Sequence, residues 1–263
     1  MKIIKSLQNH FIKDIIKLQS KSRERRKKEL FLIEGQRELS LAIKSGYEIE
    51  NILIEPSLFE RKKTTKFEIS ENKIFEISKD VYKKIAYRDS TEGIVGIVKT
   101  KKFDLEFIDL KNKTPLILVL EGLEKPGNIG AILRTADAAN VDAVLIANPK
   151  TDIFNPNIIR SSVGCVFTNQ IGVGTSEEIY SFLQEKKINI YSATLQNSNE
   201  YYKNDYTGPS AIVLGTEASG LTNLWRNEYC RNINIPMHGK IDSMNVSVAA
   251  AILTFEAKRQ RIF

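Results

Sequence analysis

The chain of 263 residues predicts an α/β protein whose C-terminal part is built on a mostly parallel sheet, preceded by a smaller N-terminal α/β domain. Three observations lead there. From Leu116 onward, continuous apolar runs such as "LILVLEGL" and "AVLIAN" alternate with helical stretches, and strands apolar on both faces belong to parallel sheets covered by helices. The first hundred residues mix helical and extended patterns. Between the two parts, the charged stretch "KKFDLEFIDLKNKTP" leads through Pro115 into a new apolar run, which marks a boundary. The expected division is a first domain over 1–105, a linker over 106–114 and a second domain over 115–263.

In the first domain an amphipathic start leads into "ELFLIEGQRELSLAIKSG", which stops at a glycine. "IENILIEP" and "KIFEIS" follow as short strands and "STEGIVGIVKT" as another. In the second, "LILVLEGL" reads as a strand, "EKPGN" as a turn, "IGAILRTADAAN" as a helix and "AVLIAN" as the next strand. "INIYSAT", "AIVLG" and "INIPM" are the later strands. The unusual loops "EGLEKPGN", "GTEASGL" and "HGKIDSMN" all follow strands, and open parallel sheets bind ligands beyond strand C-termini.

Composition narrows the chemistry. With 42% hydrophobic residues the chain can bury sizeable cores. Its apolar segments fall short of the roughly 18–20 residues that span a bilayer, and the charged N-terminus lacks an uninterrupted signal core. A soluble cytoplasmic protein with no membrane role is expected. Cys165 and Cys230 lie in unrelated contexts and support neither a disulfide framework nor a zinc cluster; two buried thiols are expected. His10 and His238 are the only histidines, which argues against His-based triads and metal sites, so no metal is expected.

The net charge of +7 is unevenly spread: Lys and Arg outnumber Asp and Glu by six over residues 1–110 and by one over 111–263. The densest run, "KSRERRKKE", holds Lys21, Arg23, Arg25, Arg26, Lys27 and Lys28. Clustered cations displace counterions from a phosphate backbone, so a polyanion contacted through this half is expected; a solvated helix face is the alternative.

Each of the three loops is ambiguous alone. Asn128 has the position of an N-cap, and Arg134 falls opposite the apolar stripe Ile129, Ile132, Leu133 and Ala136. Gly127 and Gly130 do not form G-x-G-x-x-G, and no phosphate-binding G-x-x-x-x-G-K-[ST] occurs. Gly215 would let backbone approach a flat ligand. Ser243 and Asn245 read equally as caps or as ligand contacts.

Taken together, "PGNIGAILRTA", "LGTEASGL" and "IPMHGKIDSMNVSVAAAI" resemble motifs 1, 2 and 3 of the SpoU (TrmH-like) family of S-adenosylmethionine-dependent RNA 2′-O-ribose methyltransferases, in the SPOUT superfamily. The resemblance covers roughly 114–258, and "RRKKELFLIEGQRELSLAIKSG", which includes Arg37, looks like the start of the substrate-binding domain that precedes it. It implies a deep trefoil knot at the C-terminus, a rare topology, a cofactor held in the knot, and a homodimer. It also implies that Arg134, Asn128, Glu217, Ser243 and Asn245 serve catalysis. Thr194, Leu214, Gly215, Glu217, Ile235, Met237, Met244 and Asn245 would hold S-adenosylmethionine. Met244 stands where leucine is usual, and Ala218 where glycine is common, which matters only if that position needs positive φ. Because guanidinium groups keep their proton at neutral pH, Arg134 is expected to orient the hydroxyl and stabilise developing oxyanion charge; proton abstraction by Arg134 itself is the alternative. The expected substrate is RNA, 23S ribosomal RNA before transfer RNA; the competing reading is a non-catalytic RNA-binding protein with a decayed methyltransferase domain.

Overall fold

The computed structural model describes residues 3–87 and 92–261. Its contacts divide the chain into two units, Met1–Lys102 with Asp152–Thr168, and Phe103–Thr151 with Asn169–Phe263. The expectation of one continuous domain from 115 onward did not contain this excursion.

The first unit carries β1 (Ile3–Ile4), α1 (His10–Ser20), α2 (Ser22–Lys28), β2 (Leu30–Glu34), α3 (Gln36–Lys44), β3 (Ile49–Ile54), β4 (Ile74–Ile77), α4 (Lys79–Ile85) and β5 (Ile94–Lys99). Ser90 and Thr91, which open the stretch expected to form the last of these strands, lie outside the described residues. The sheet order is β1-β4-β3-β5-β2, with β5 antiparallel to both its neighbours. Inside "ELFLIEGQRELSLAIKSG" the chain changes from strand to helix at Gly35, whose φ of 102° suits glycine. Ile12, Ile15 and Leu18 recur at helical spacing on α1 and pack with Leu32, Leu53, Val81 and Ile97.

Asp152–Thr168 brings aromatic residues to this core: Phe154 stacks on Phe31 at 4.2 Å between ring centroids, and Phe167 meets Tyr47 edge-on at 5.1 Å. It also corrects the expectation that Arg25 faces RNA. Arg25 is only 3% exposed; its Nε donates to Asp152 and its Nη1 to the carbonyls of Leu18 and Gln19 at 2.7 and 3.2 Å. Lys21, Arg23, Arg26, Lys27 and Arg37 are exposed, while Lys28 is half-buried and pairs with Asp14 at 2.6 Å.

The second unit carries β6 (Leu116–Glu121), α5 (Pro126–Ala138) and β7 (Ala143–Ala147); α6 (Pro156–Ser161) lies within the excursion. After it come β8 (Ile171–Gly174), α7 (Ser176–Glu185), β9 (Asn189–Ala193), β10 (Asn199–Glu200), β11 (Ser210–Leu214), β12 (Cys230–Asn234) and α8 (Val246–Gln260). The seven strands run in the order β10-β12-β9-β11-β6-β7-β8, every neighbouring pair parallel. Ile117, Val119, Leu145, Ile190 and Val213 form one core with Ile179 and Leu183 of α7. On α5 and α8, which pack together, Ile129, Ile132, Leu133, Ala250 and Leu253 are buried in their turn. The strand expected at "INIPM" lies earlier, at Cys230–Asn234; Pro236 has no N–H for a ladder. Both cysteines are buried, and neither is in a disulfide among the described residues. Among the described residues no helix is long and apolar enough to cross a membrane.

Removing Arg25 strands the Asp152 carboxylate, whose side chain is 11% exposed. Arg25→Ala is expected to cost about 3 kcal/mol or more of stability in urea unfolding, whereas Arg26→Ala stays within about 0.5 kcal/mol.

Candidate active site

All strands of the second sheet point the same way, so the loops after β6, β11 and β12 emerge at one edge. A continuous polar chain joins them. Lys125 Nζ lies 2.9 Å from Glu217 Oε2, and Asn128 Nδ2 donates to Glu217 Oε1. Asn128 Oδ1 accepts from Asn245 Nδ2 at 3.2 Å, and Asn245 Oδ1 accepts from Ser247 N at 2.9 Å and Ser247 Oγ at 2.6 Å. Asn245 is therefore both the N-cap of α8 and a link to the first loop: its carbonyl end caps and its amide end reaches out. The N-cap expectation for Asn128 fails. The helix starts at Pro126 with Lys125 as N-cap, so Asn128 sits inside the first turn with its side chain free for the other loops.

The loop after β11 closes on itself. A Cβ on Gly215 would come within 2.4 Å of the Gly220 carbonyl carbon and 2.6 Å of Leu221 N, and Thr216 and Gly220 exchange backbone hydrogen bonds at 3.2 and 3.0 Å. Glycine is needed at 215 by the loop's own backbone rather than by an approaching ligand. The left-handed position is Gly220, with φ of 65°; Ala218 is not among the residues at positive φ, so its methyl group brings no strain.

This loop borders two clefts. One, of 340 Å³, is lined by Thr194, Leu195, Leu214, Gly215, Glu217, Leu221, Arg226, Ser243, Met244 and Val246. Ile235 and Met237 line a neighbouring cavity of 510 Å³ that shares Leu195 and Asp242 with it. The other cleft to which the loop contributes, of 840 Å³, lies against the loops after β6 and β7. Of the residues expected at the site, Arg134 stands apart. It is exposed on α5, has no hydrogen-bond or ion-pair partner among the described residues, and lines none of these cavities. Among the described residues the Ser243 hydroxyl reaches only Asp242 Oδ1, at 3.2 Å. Among the described residues no group of three His, Cys, Asp or Glu side chains is disposed to hold a metal ion.

Two residues of the site carried no motif. Arg226 donates to Gln196 Oε1 and, at 2.6 Å, to Asn223 Oδ1, while its buried Nε has no partner. Glu121, 4% exposed at the end of β6, accepts from Ser176 Oγ at 2.7 Å, Thr222 N at 2.9 Å, Thr222 Oγ1 at 2.8 Å and Trp225 Nε1 at 2.8 Å. An acid closing the apolar run "LILVLE" was the available signal. Glu121→Ala orphans these donors and is expected to destabilise the protein by about 3 kcal/mol or more in chemical unfolding. Glu121→Gln, which keeps an acceptor oxygen, is expected to cost less.

The SpoU rRNA Methylase family model matches residues 115–255, and the MRM3-like substrate binding domain model matches residues 9–96. The 23S rRNA (guanosine(2553)-2'-O)-methyltransferase RlmP of Bacillus subtilis is 28% identical over 258 residues, spanning 98% of this chain and 100% of that protein. The 23S rRNA (guanosine-2'-O-)-methyltransferase RlmB of Vibrio parahaemolyticus is 36% identical over 182 residues, 67% of this chain and 74% of that protein. A crystal structure of an RNA 2'-O ribose methyltransferase superposes with a TM-score of 0.85 at 34% identity, covering 98% of each chain. An AdoMet-bound rRNA methyltransferase from Sinorhizobium meliloti gives a TM-score of 0.88 at 27% identity over 98% of this chain and 97% of that one. The matched segment spans more than half of the chain and contains Asn128, Arg134, Glu217, Ser243 and Asn245: the protein is a member of the SpoU rRNA methylase family.

Proposed function

We propose that this protein is a cytoplasmic, S-adenosylmethionine-dependent enzyme that methylates a ribose 2′-hydroxyl in 23S ribosomal RNA. What carries the proposal is the hydrogen-bonded chain through Glu217, Asn128 and Asn245, which fixes three separate loops beside a cleft. The similar proteins named as 23S rRNA 2'-O-methyltransferases support the substrate, and the AdoMet-bound neighbour supports the cofactor.

The residues of the 340 Å³ cleft fit that cofactor. Leu195, Leu214, Leu221, Met244 and Val246 offer apolar surface to an adenosine, and the guanidinium of Arg226, which lines the same cleft, supplies positive charge toward a carboxylate. Thr194, Gly215 and Glu217 line the same cleft, with Ile235 and Met237 in the adjoining cavity. When bound, S-adenosylmethionine supplies a methyl group activated by its sulfonium. The protein's part is to place a ribose hydroxyl beside that methyl and to stabilise the oxygen as its proton passes to solvent water or the adjacent phosphate. Arg134 takes this role, with Asn128, Glu217, Ser243 and Asn245 holding nucleotide and cofactor.

Arg134 lies on α5, which packs against α8, and α8 presents Val248 (50% exposed), the partly buried Ile252 and Phe255 (46% exposed) at helical spacing on one face. An apolar stripe beside an unpartnered arginine supports a homodimer in which the partner completes the site. The chain from β12 into α8 is knotted through the preceding loops, as family membership supports. Lys21, Arg23, Arg26 and Lys27, exposed on or beside α2, contact RNA phosphates together with Lys28 and Arg37.

Arg134→Lys is expected to lower tritiated-methyl transfer to unmethylated 23S rRNA about a hundredfold or more, because lysine lacks the planar fork. S-adenosylhomocysteine binding by calorimetry stays unchanged. Near-normal transfer would remove Arg134 from the mechanism. Phe255→Asp is expected to give a folded monomer by light scattering, inactive because the site is incomplete; a dimer of normal activity would count against the shared site.

A further inference from the structure

The 840 Å³ cleft beyond the 216–220 loop contains a side chain whose orientation is dictated from below. The carboxylate of Glu121 can only accept hydrogen bonds, so Ser176 must donate its hydroxyl proton to it, at 2.7 Å. The Ser176 oxygen is then left as an acceptor, and Asn148 donates to it through Nδ2 at 2.9 Å. This relay fixes the Asn148 amide with its nitrogen inward and leaves Oδ1 with no partner among the described residues. Asn148 lines the cleft just after β7, held at φ of 49°. Two residues on, Lys150 is exposed and has no hydrogen-bond or ion-pair partner among the described residues, unlike Lys125, which pairs with Glu217.

The position of this cleft matters as much as its chemistry. Thr216–Gly220 forms part of its wall and also part of the wall of the cofactor cleft, and Asn128 and Glu217 stand at its edge. A ribose held at Asn128 and Glu217 therefore has the cofactor cleft to one side and this larger cleft to the other. Its volume exceeds that of the 340 Å³ cleft assigned to a whole nucleoside cofactor.

We propose that this cleft receives the base of the target nucleotide, with Asn148 Oδ1 accepting a hydrogen bond from an N–H donor on the edge of guanine and Lys150 contacting an adjacent phosphate. The proposal rests on the RNA 2′-O-methylation reading above and adds to it which residues contact the base. Guanine, the base named for the similar 23S rRNA methyltransferases, presents two neighbouring donors on that edge, N1–H and the N2 amino group, to a fixed acceptor. In single-stranded loops and bulges of RNA, unstacked bases can be splayed out and hydrogen-bonded on their Watson–Crick edges.

The test uses full-length protein and an unmodified 23S rRNA transcript, with the methylated position mapped first. Glycine tolerates the positive φ at 148, so Asn148→Gly removes the amide without straining the turn. Asn148→Gly and Lys150→Glu are each expected to lower kcat/KM for the transcript about tenfold, Lys150→Glu through KM, while S-adenosylhomocysteine affinity stays within twofold. Replacing the mapped guanosine by purine riboside, whose base has no N–H on that edge, is expected to slow the wild type about tenfold and Asn148→Gly hardly at all. Equal slowing of both proteins, or wild-type kcat/KM in Asn148→Gly and Lys150→Glu while Arg134→Lys is inactive, overturns the base-binding assignment and leaves the methyltransferase reading standing. A mapped target other than guanosine also overturns it. If the wild type binds S-adenosylhomocysteine yet transfers no methyl to the transcript, the 23S rRNA reading fails, and the base assignment built on it falls with it.

Discussion

The candidate site depends on one side chain, Asn128, which joins loops that the sequence keeps about ninety to one hundred and twenty residues apart. Its amide nitrogen holds Glu217 and its amide oxygen holds Asn245. An amide is the group that can do this, because it offers a donor and an acceptor from one planar head, where a carboxylate or an ammonium offers only one kind. The link works because α5 begins two residues before Asn128, at Pro126, which needs no N–H partner there. Freed from capping its own helix, Asn128 can bridge the loop after β11 and the loop that leads into α8.

Glu121 does a similar job one layer deeper. A carboxylate taken out of water costs several kcal/mol unless its lone pairs are filled, and here Ser176, Thr222 and Trp225 fill them. The three come from the start of α7 and from the chain following Gly220, so the buried charge ties the far end of the 216–222 loop to the end of β6. With Gly215 closing the near end against Gly220 and Leu221, the loop is held at both ends. The 216–222 loop, the wall between the two clefts, is thus anchored at both ends by contacts with its own backbone and with the buried carboxylate.

What the sequence made legible follows from local rules. Apolar runs covered on both faces gave the parallel sheet, and three spaced motifs gave the family, because both signals lie in contiguous residues. What stayed hidden depends on partners far away in the chain. Arg25 sits in a run of cations expected to face a polyanion, and Asp152, 127 residues later, together with the Leu18 and Gln19 carbonyls, turns it inward. Phe154 and Phe167 are apolar residues that either unit could have buried; their partners Phe31 and Tyr47 decide the matter. The strand at Cys230–Asn234 was misplaced by the pull of "INIPM", whose proline cannot join a ladder. Arg226 and Asn148 belong to no motif, and their place at the two clefts appears only in three dimensions.

The cap-or-ligand ambiguity at the start of α8 dissolves on the same ground. An N-cap uses the side-chain oxygen of asparagine and leaves the amide nitrogen unspent, so capping and site building are not competing uses of Asn245. Serine or aspartate at this position would cap as well. Aspartate, however, has no donor, and would set a second carboxylate beside the Glu217–Asn128 pair. Serine's hydroxyl is too short to accept from Ser247 N and still reach Asn128. The requirement for asparagine at 245 thus comes from the inter-loop link and not from the helix, which is why helix propensity alone could not have told the two apart.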